Sequence, residues 1–154
     1  MNIAERAYRM KARYVLFVED NPDDEILTLH ALKKHNITNE VIVIRDGAEA
    51  LNFLFCRRSY ANRDPNDMPE LILLDLRLPK RDGVEVLREI RADKRTERLP
   101  IVILTSSNSD RDMVDSFHYG ANAYIRKPVD FTQFIAAVRE LGLRLVVLHE
   151  EVPN

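Results

Sequence analysis

The sequence predicts a doubly wound α/β fold, in which helices cover both faces of a five-stranded parallel sheet. Five short apolar runs alternate with five segments of helical periodicity. The third run, Leu71 to Leu74, is apolar at every position, which is typical of a strand buried on both faces. The connections are short, so each step from one strand to the next requires a right-handed crossover through a helix.

Composition favours one soluble domain. The chain has 154 residues, 45% hydrophobic and 31% charged, which suffices for one core but not comfortably for two. A net charge of -2 gives no overall attraction to nucleic acid or to an anionic membrane, and we expect neither as a partner. The single cysteine, Cys56, suits a reducing compartment, and no apolar run approaches the ~20 residues of a membrane span. We therefore expect a cytoplasmic protein.

The strands and helices follow from apolar spacing. The predicted strands are Tyr14 to Val18, Val41 to Ile44, Leu71 to Leu74, Ile101 to Leu104 and Ala123 to Ile125. Each of the five predicted helices has one apolar face, which we expect to pack against the sheet. In chain order, these faces consist of Ile26, Leu29 and Leu32; Ala48, Leu51, Leu54 and Phe55; Val84, Leu87 and Ile90; Met113, Val114 and Phe117; and Phe131, Phe134, Ile135, Val138 and Leu141.

Helix starts are marked by capping residues. Asn21 is the predicted cap of the first helix, and Pro22 follows it as the first helical residue. Ser109 or Asp110 is predicted to cap the fourth helix, and Asp130 the fifth. Asp23 and Asp24 follow Asn21, and we interpret both as complements of the helix dipole rather than as ligands.

Two segments lie outside this pattern. Arg57 to Pro69 is a polar loop of unusual length, whose arginines Arg57, Arg58 and Arg63 we interpret as solvated. Cys56 is interpreted as a core residue of the second helix. The apolar register of the last helix continues through Leu145 and Leu148, which predicts an extended C-terminal helix running to near His149.

Polar side chains follow four of the strands where each strand ends. Glu19 and Asp20 follow strand one, Asp75 follows strand three, and Thr105 and Lys127 end strands four and five. In the flavodoxin-like strand order 2-1-3-4-5, strands one and three flank the switch point of the sheet. We therefore expect these side chains to converge in one crevice.

The predicted crevice has the chemistry of phosphoryl transfer. Carboxylates ~4 Å apart repel by about 4 kcal/mol per pair at an effective dielectric near 20, so the cluster needs a cation. Oxygen ligands favour Mg²⁺, with Asp20 and Asp75 as ligands and Glu19 bound directly or through water. Lys127 would then pair with the phosphoryl oxygens, and the Thr105 hydroxyl would donate to one of them.

The motifs in their order resemble the receiver domain of two-component response regulators. They are Val-Glu-Asp-Asn-Pro-Asp-Asp, the segment Asp75 through Gly83, Leu-Thr-Ser after strand four, and Gly-Ala-Asn-Ala-Tyr-Ile-Arg-Lys-Pro. The resemblance covers residues 14–142, leaving an N-terminal extension at 1–13 and a C-terminal extension at 143–154.

The resemblance implies a role for each site residue. Asp75 is the phosphoacceptor that takes its phosphoryl group from a histidine kinase phosphohistidine. The implied Mg²⁺ ligands are Glu19, Asp20, Asp75 and the backbone carbonyl of Arg77. Thr105 and Tyr124 form the switch pair, Lys127 pairs with phosphate, and Pro128 is a candidate for a cis peptide bond. Such a protein catalyses only its own phosphorylation and dephosphorylation.

A narrower resemblance points to one group of receivers. The long loop, the Asn-Pro-Asp-Asp opening and the apolar C-terminal extension are similar to the receiver-only regulators paired with cyanobacterial phytochromes. This implies a phytochrome-type sensor kinase as partner, and no DNA-binding or enzymatic output domain.

Self-association is expected at the C-terminal end. Leu143, Val146 and Val147 would form an apolar patch on the extended last helix. A two-fold partner that buries this patch predicts a homodimer through the fourth helix, the fifth strand, the fifth helix and the extension. The alternative is that the tail folds back onto its own domain.

Three other functions are alternatives to a phosphorylated receiver. A haloacid-dehalogenase-type phosphatase needs a second aspartate two residues after the first, where this chain has Arg77. A flavodoxin needs phosphate-binding donors where this chain has the acidic run from Glu19 to Asp23. A receiver-like module that binds partners without phosphorylation stays open.

Arg77 and Ser107 lie where a side chain could shield or orient an attacking water.

Overall fold

The five apolar runs form one parallel sheet in the order β2-β1-β3-β4-β5, as predicted. The computed structural model describes residues 14–141 apart from residues 36 and 38. Its strands are β1 (Val15–Val18), β2 (Val41–Ile44), β3 (Leu71–Leu74), β4 (Ile101–Thr105) and β5 (Ala123–Arg126). The predicted doubly wound fold is confirmed.

A helix follows each strand. They are α1 (Pro22–Lys34), α2 (Gly47–Leu54), α3 (Gly83–Ala92), α4 (Asp110–His118) and α5 (Phe131–Glu140), with a 3-10 helix at Arg58–Tyr60. The predicted caps at Asn21 and Asp130 each accept hydrogen bonds from two backbone amides of the first turn. Ser109, rather than Asp110, caps α4.

Alternate residues of the central strands face two separate cores. Leu16 and Leu74 belong to the core beneath α2 and α3, whereas Phe17 and Leu73 pack with Phe134 of α5. All four residues of β1 and all four of β3 are buried, as expected of strands covered on both faces. The sheet is therefore a rigid support for whatever follows its strand ends.

Two predicted helix faces are wrong in part, although Leu29 and Leu32 of α1 do pack against the core. Ile26 of α1 is 64% exposed, and the buried residues of that helix are Thr28 and Leu32. On α4, Val114 is 61% and Phe117 48% exposed, while Ser116 is fully buried and donates to the Asp112 carbonyl. Periodicity identifies a face but not its orientation, and a helix held by a few small contacts can turn apolar residues outward.

The segment 57–69 is held by Arg63, so the prediction that this arginine is solvated is wrong. Its guanidinium donates to the Phe53 carbonyl at 2.5 Å and to the Tyr14 hydroxyl at 3.0 Å, and it also contacts the Asp67 carbonyl. Cys56 was placed in the second helix, but it lies beyond the end of α2 and is half-buried.

The chain ends were predicted as extensions. Helix α5 is described through Glu140, with Leu141 as its C-cap. The predicted continuation to His149 and the N-terminal extension at residues 1–13 lie outside the described residues.

The helices that the structure describes are short. None of them combines the length and apolar character that a membrane span requires.

Candidate functional site

Strands β1 and β3 place two acidic side chains next to each other. Val18 and Leu74 are register partners, so the residues that follow them, Glu19 and Asp75, leave the sheet at the same level. Glu19 is 0% and Asp75 6% exposed. One oxygen of Asp75, Oδ1, accepts a hydrogen bond from the Arg77 amide at 3.1 Å.

Lys127 extends from the end of β5 into this acidic crevice. Its Nζ lies 2.5 Å from Glu19 Oε1, 2.8 Å from Asp75 Oδ2 and 2.9 Å from Asp24 Oδ2. The amide of Lys127 donates to the Thr105 carbonyl at 2.8 Å, which fixes the base of the side chain. The lysine thus reaches across the sheet to the predicted phosphoacceptor.

The charges of the crevice suit a divalent cation. One oxygen from each of Glu19, Asp24 and Asp75 lies within 4.8 Å of the other two. These three carboxylates and the Lys127 ammonium together carry a formal charge of -2 when all are ionised. Hard oxygen ligands of this kind fit Mg²⁺ or Mn²⁺ better than zinc.

Burial sets the ionisation of the crevice. Burial raises the pKa of Glu19 to about 7, with a further rise from the Asp75 charge, although the Lys127 hydrogen bond opposes both. Burial alone would lower the pKa of Lys127, but its hydrogen bonds to the three carboxylates outweigh this and raise the pKa above its ordinary value. The ammonium therefore stays charged while Glu19 titrates near neutral pH.

The acidic residues that follow β1 do not lie where the sequence interpretation placed them. Asp24 was interpreted as a helix-dipole residue, yet its carboxylate lies in the crevice against Lys127. Asp20 is exposed and is not one of the three clustered carboxylates. Asp20 and the Arg77 carbonyl stay predictions as metal ligands.

The predicted switch residues lie at the ends of β4 and β5. Thr105 is fully buried, and its Oγ1 accepts a hydrogen bond from the Ser107 amide at 3.2 Å. Tyr124 pairs in register with Ile103, two residues before Thr105. Its hydroxyl is buried and has no hydrogen-bond partner among the described residues. A buried hydroxyl without a hydrogen-bond partner costs free energy.

Two backbone features complete the crevice. The Lys127-Pro128 peptide bond is cis, as predicted. At Gly83, the first residue of α3, a Cβ would overlap the carbonyl oxygen of Asp75. A side chain at this position would thus displace the backbone of Asp75 and Leu76.

The family described as response regulator receiver domain matches residues 15–139. The chain belongs to this family. The predicted resemblance is confirmed, and the fold and crevice described above are those of a receiver domain.

The receiver is similar to curated and solved response regulators. Response regulator Rcp1 of Synechocystis sp. (strain ATCC 27184 / PCC 6803 / Kazusa) is 37% identical over 139 residues, which are 88% of this chain and 92% of Rcp1. The solved Mn(2+)-bound form of Rcp1 is 36% identical, with a TM-score of 0.72, and the match covers 89% of this chain and 99% of that one.

Two further solved structures come from phytochrome systems. The bacteriophytochrome response regulator AtBRR is 47% identical, with a TM-score of 0.79, over 90% of this receiver and 99% of that chain. The phosphorylated cyanobacterial phytochrome response regulator RcpA is 38% identical, with a TM-score of 0.70, over 84% of this receiver and 91% of RcpA.

Proposed function

We propose that this receiver takes a phosphoryl group from a histidine kinase phosphohistidine onto Asp75, with Mg²⁺ in the crevice. The observation that carries the proposal is the Lys127 ammonium, held 2.8 Å from Asp75 Oδ2 among buried carboxylates. A carboxylate oxygen of Asp75 attacks phosphorus, the phosphorus–nitrogen bond breaks, and the kinase imidazole leaves with the electron pair.

The residues that would hold Mg²⁺ are Glu19, Asp24 and Asp75, with Asp20 and the Arg77 carbonyl as further predicted ligands. When bound there, the ion supplies charge neutralisation for the phosphoryl oxygens. The solved Mn(2+)-bound form of Rcp1, a related response regulator, supports the proposal that this chain also binds a divalent cation.

The protein groups position and stabilise the transferred phosphoryl group. Lys127 is already charged and desolvated beside Asp75, so pairing with a phosphoryl oxygen requires little reorganisation. The Thr105 hydroxyl ends the adjacent strand and can donate to a second oxygen. The catalysis is thus limited to the phosphorylation and dephosphorylation of Asp75 itself.

The absence of a catalytic acid after Asp75 favours a lasting phosphoryl group over turnover. A phosphatase of the haloacid-dehalogenase type would use an aspartate at the position of Arg77. Arg77 has no carboxyl group that could act as the general acid and base of such an enzyme. A signalling role therefore fits the crevice better than a phosphatase.

The output would pass through the switch pair. A phosphoryl group on Asp75 gives Thr105 a charge-assisted acceptor, and movement of Thr105 changes the space beside Tyr124. The unpartnered Tyr124 hydroxyl supports such a rearrangement. We expect amide exchange in α4, β5 and α5 to change on addition of beryllofluoride with Mg²⁺, and changes confined to residues 20–46 would contradict this route.

The kinase partner is proposed to be of the phytochrome type. AtBRR and RcpA carry phytochrome names, and Rcp1 is related over nearly its whole length. A phosphohistidine must approach Asp75 from the open end of the crevice, where α1 begins. Ile26 and Leu27, 64% and 65% exposed on this helix, offer apolar contact to such a partner. We place the reaction in the cytoplasm, a reducing compartment that suits a chain with a single cysteine, Cys56.

A homodimer is proposed through α4, β5, α5 and the C-terminal extension. Val114 and Phe117 expose apolar surface on α4, and the Phe117 ring lies 6.4 Å from that of Tyr124 on β5. Sedimentation of the full chain against a chain ending at Gly142 tests the contribution of the extension. If both are monomers at tens of micromolar, or both are equally tight dimers, the extension is not the contact.

Phosphorylation is tested by incubation with acetyl phosphate and Mg²⁺, followed by intact mass. We expect one acid-labile phosphoryl group on the wild type, none on Asp75→Asn, and none without a divalent cation. Asp110→Asn is the control, because Asp110 is an exposed carboxylate of α4 whose partner is Arg126. Labelling of Asp75→Asn at the wild-type level would refute Asp75 as the phosphoacceptor. A wild type that gains no phosphoryl group would leave a phosphorylation-independent module as the better proposal.

A further inference from the structure

Two loops that border the crevice meet at one carboxylate of α4. Asp112 Oδ2 accepts a hydrogen bond from the Ser107 hydroxyl at 2.6 Å. The same oxygen lies 3.7 Å from Nη2 of Arg77, whose side chain is mostly exposed. The crevice described above does not use Asp112, which lies on the first turn of α4.

Both loops are also tied to the reacting residues. The Arg77 amide donates to Asp75 Oδ1 at 3.1 Å, and the Ser107 amide donates to Thr105 Oγ1 at 3.2 Å. Asp112 thus closes a chain of contacts that begins at the phosphoacceptor and ends at the switch hydroxyl. The first turn of α4 is the part of the molecule that joins the two loops.

We propose that Asp112 is a positioning residue that holds the Arg77 guanidinium away from Asp75, and that a phosphoryl anion on Asp75 competes with Asp112 for this guanidinium. The inference rests on the proposed function. No covalent bond changes in this step, which is an exchange of ion-pair partners.

The geometry favours such an exchange. The Arg77–Asp112 pair is long, at 3.7 Å, and solvated, so little free energy holds it. The Arg77 backbone already contacts Asp75, which leaves the flexible side chain to select between two anions. A phosphoryl group offers more charge and more acceptor oxygens than a carboxylate. When Arg77 leaves, Asp112 keeps Ser107 but loses its tie to the Asp75 loop.

Asp112→Asn tests the exchange, because the amide keeps the shape of the side chain and can still accept from Ser107. The readout is the affinity for beryllofluoride in saturating Mg²⁺, measured by calorimetry. We expect Asp112→Asn to bind beryllofluoride about two- to fivefold more tightly than wild type does, which corresponds to the free energy of an exposed ion pair. The gain should shrink as salt is added and should vanish when Arg77→Gln is also present.

The control is Asp110→Asn, which removes a charge from the same turn but breaks a pair with Arg126 at 3.3 Å. The inference would be overturned if Asp110→Asn gained as much affinity for beryllofluoride, or if the gain from Asp112→Asn persisted in the presence of Arg77→Gln. General repulsion between the α4 carboxylates and the anion would then explain the gain. If wild type binds beryllofluoride but Asp112→Asn binds no more tightly, the inference alone fails. If wild type does not bind, the proposed function fails and the inference with it.

Discussion

Replacing Lys127 with methionine tests whether the ammonium holds the acidic crevice together. Lys127 Nζ lies within 2.9 Å of three carboxylates, and two of these, on Glu19 and Asp75, are almost inaccessible to solvent. Lys127→Met keeps much of the length of the side chain and removes the charge. The carboxylates are then left without their neutralising partner.

The cost follows from the burial of the carboxylates. Removing one partner of a buried ion pair typically costs about 3–5 kcal/mol, because the remaining charge is uncompensated. Glu19 can relieve part of this cost, since its pKa is already raised to about 7 by burial and loses the opposing Lys127 hydrogen bond. At neutral pH we therefore expect a loss near the lower end of the range, ~3 kcal/mol, and a larger loss at higher pH.

The assay is urea unfolding, with and without Mg²⁺. In EDTA we expect Lys127→Met to be less stable than wild type by this amount. Added Mg²⁺ should stabilise the variant more than the wild type, because the ammonium no longer competes for the carboxylate oxygens. Lys80→Met is the control, as Lys80 is mostly exposed and forms a solvated pair with Asp46 at 3.6 Å. Equal small losses in both variants, or equal stabilisation of Lys127→Met and wild type by Mg²⁺, would refute the reasoning.

Three further predictions concern neighbouring groups. Without Mg²⁺, the free energy of unfolding should fall by on the order of 2 kcal/mol from about pH 5.5 to about pH 8, because the pKa of Glu19 is about 7 when folded and 4.5 ordinarily. The folded state thus holds the Glu19 proton more tightly than the unfolded state does. In urea titrations, the free energy of unfolding of Glu19→Gln should not fall over this pH range, and the same fall as in wild type would show that Glu19 is not its cause. Tyr124→Phe should raise the melting temperature, with a gain of ~1 kcal/mol from removing an unpartnered hydroxyl, and a lower value counts against it. Asp24→Asn should weaken Mg²⁺ binding several-fold in calorimetry, whereas Asp23→Asn on the same helical turn should not.

Local patterns predict the sheet and most of the crevice. A strand such as Leu71–Leu74, buried on both faces, leaves a short unbroken apolar run, and its length favours a strand over a buried helix. Parallel strands all end at the same edge, so the residues after them converge whatever the details of packing. The positions of Asp75, Thr105 and Lys127 could therefore be predicted from the strand ends, whereas their roles came from the family motifs.

Contacts between distant segments account for what was missed. Arg63 is in a loop of polar composition, but its guanidinium lies 3.9 Å from the centre of the Phe53 ring and donates to backbone carbonyls. No local pattern distinguishes such an arginine from a solvated one. The orientation of α4 was also missed, since its buried residue is the small, polar Ser116 and its larger apolar residues face solvent.

Asp24 shows why an acidic residue at a helix start is ambiguous in sequence. An aspartate there is stabilised by the helix dipole, which is a sufficient explanation until Lys127, 103 residues away, is found beside it. The structure joins the two roles through Asn21. The Asn21 amide donates to Glu19 Oε2 at 3.2 Å, and its side chain accepts from the Asp24 amide at 3.1 Å. The cap that starts α1 therefore also sets the distance between two of the clustered carboxylates, so binding of a cation there should stabilise the first turn of the helix.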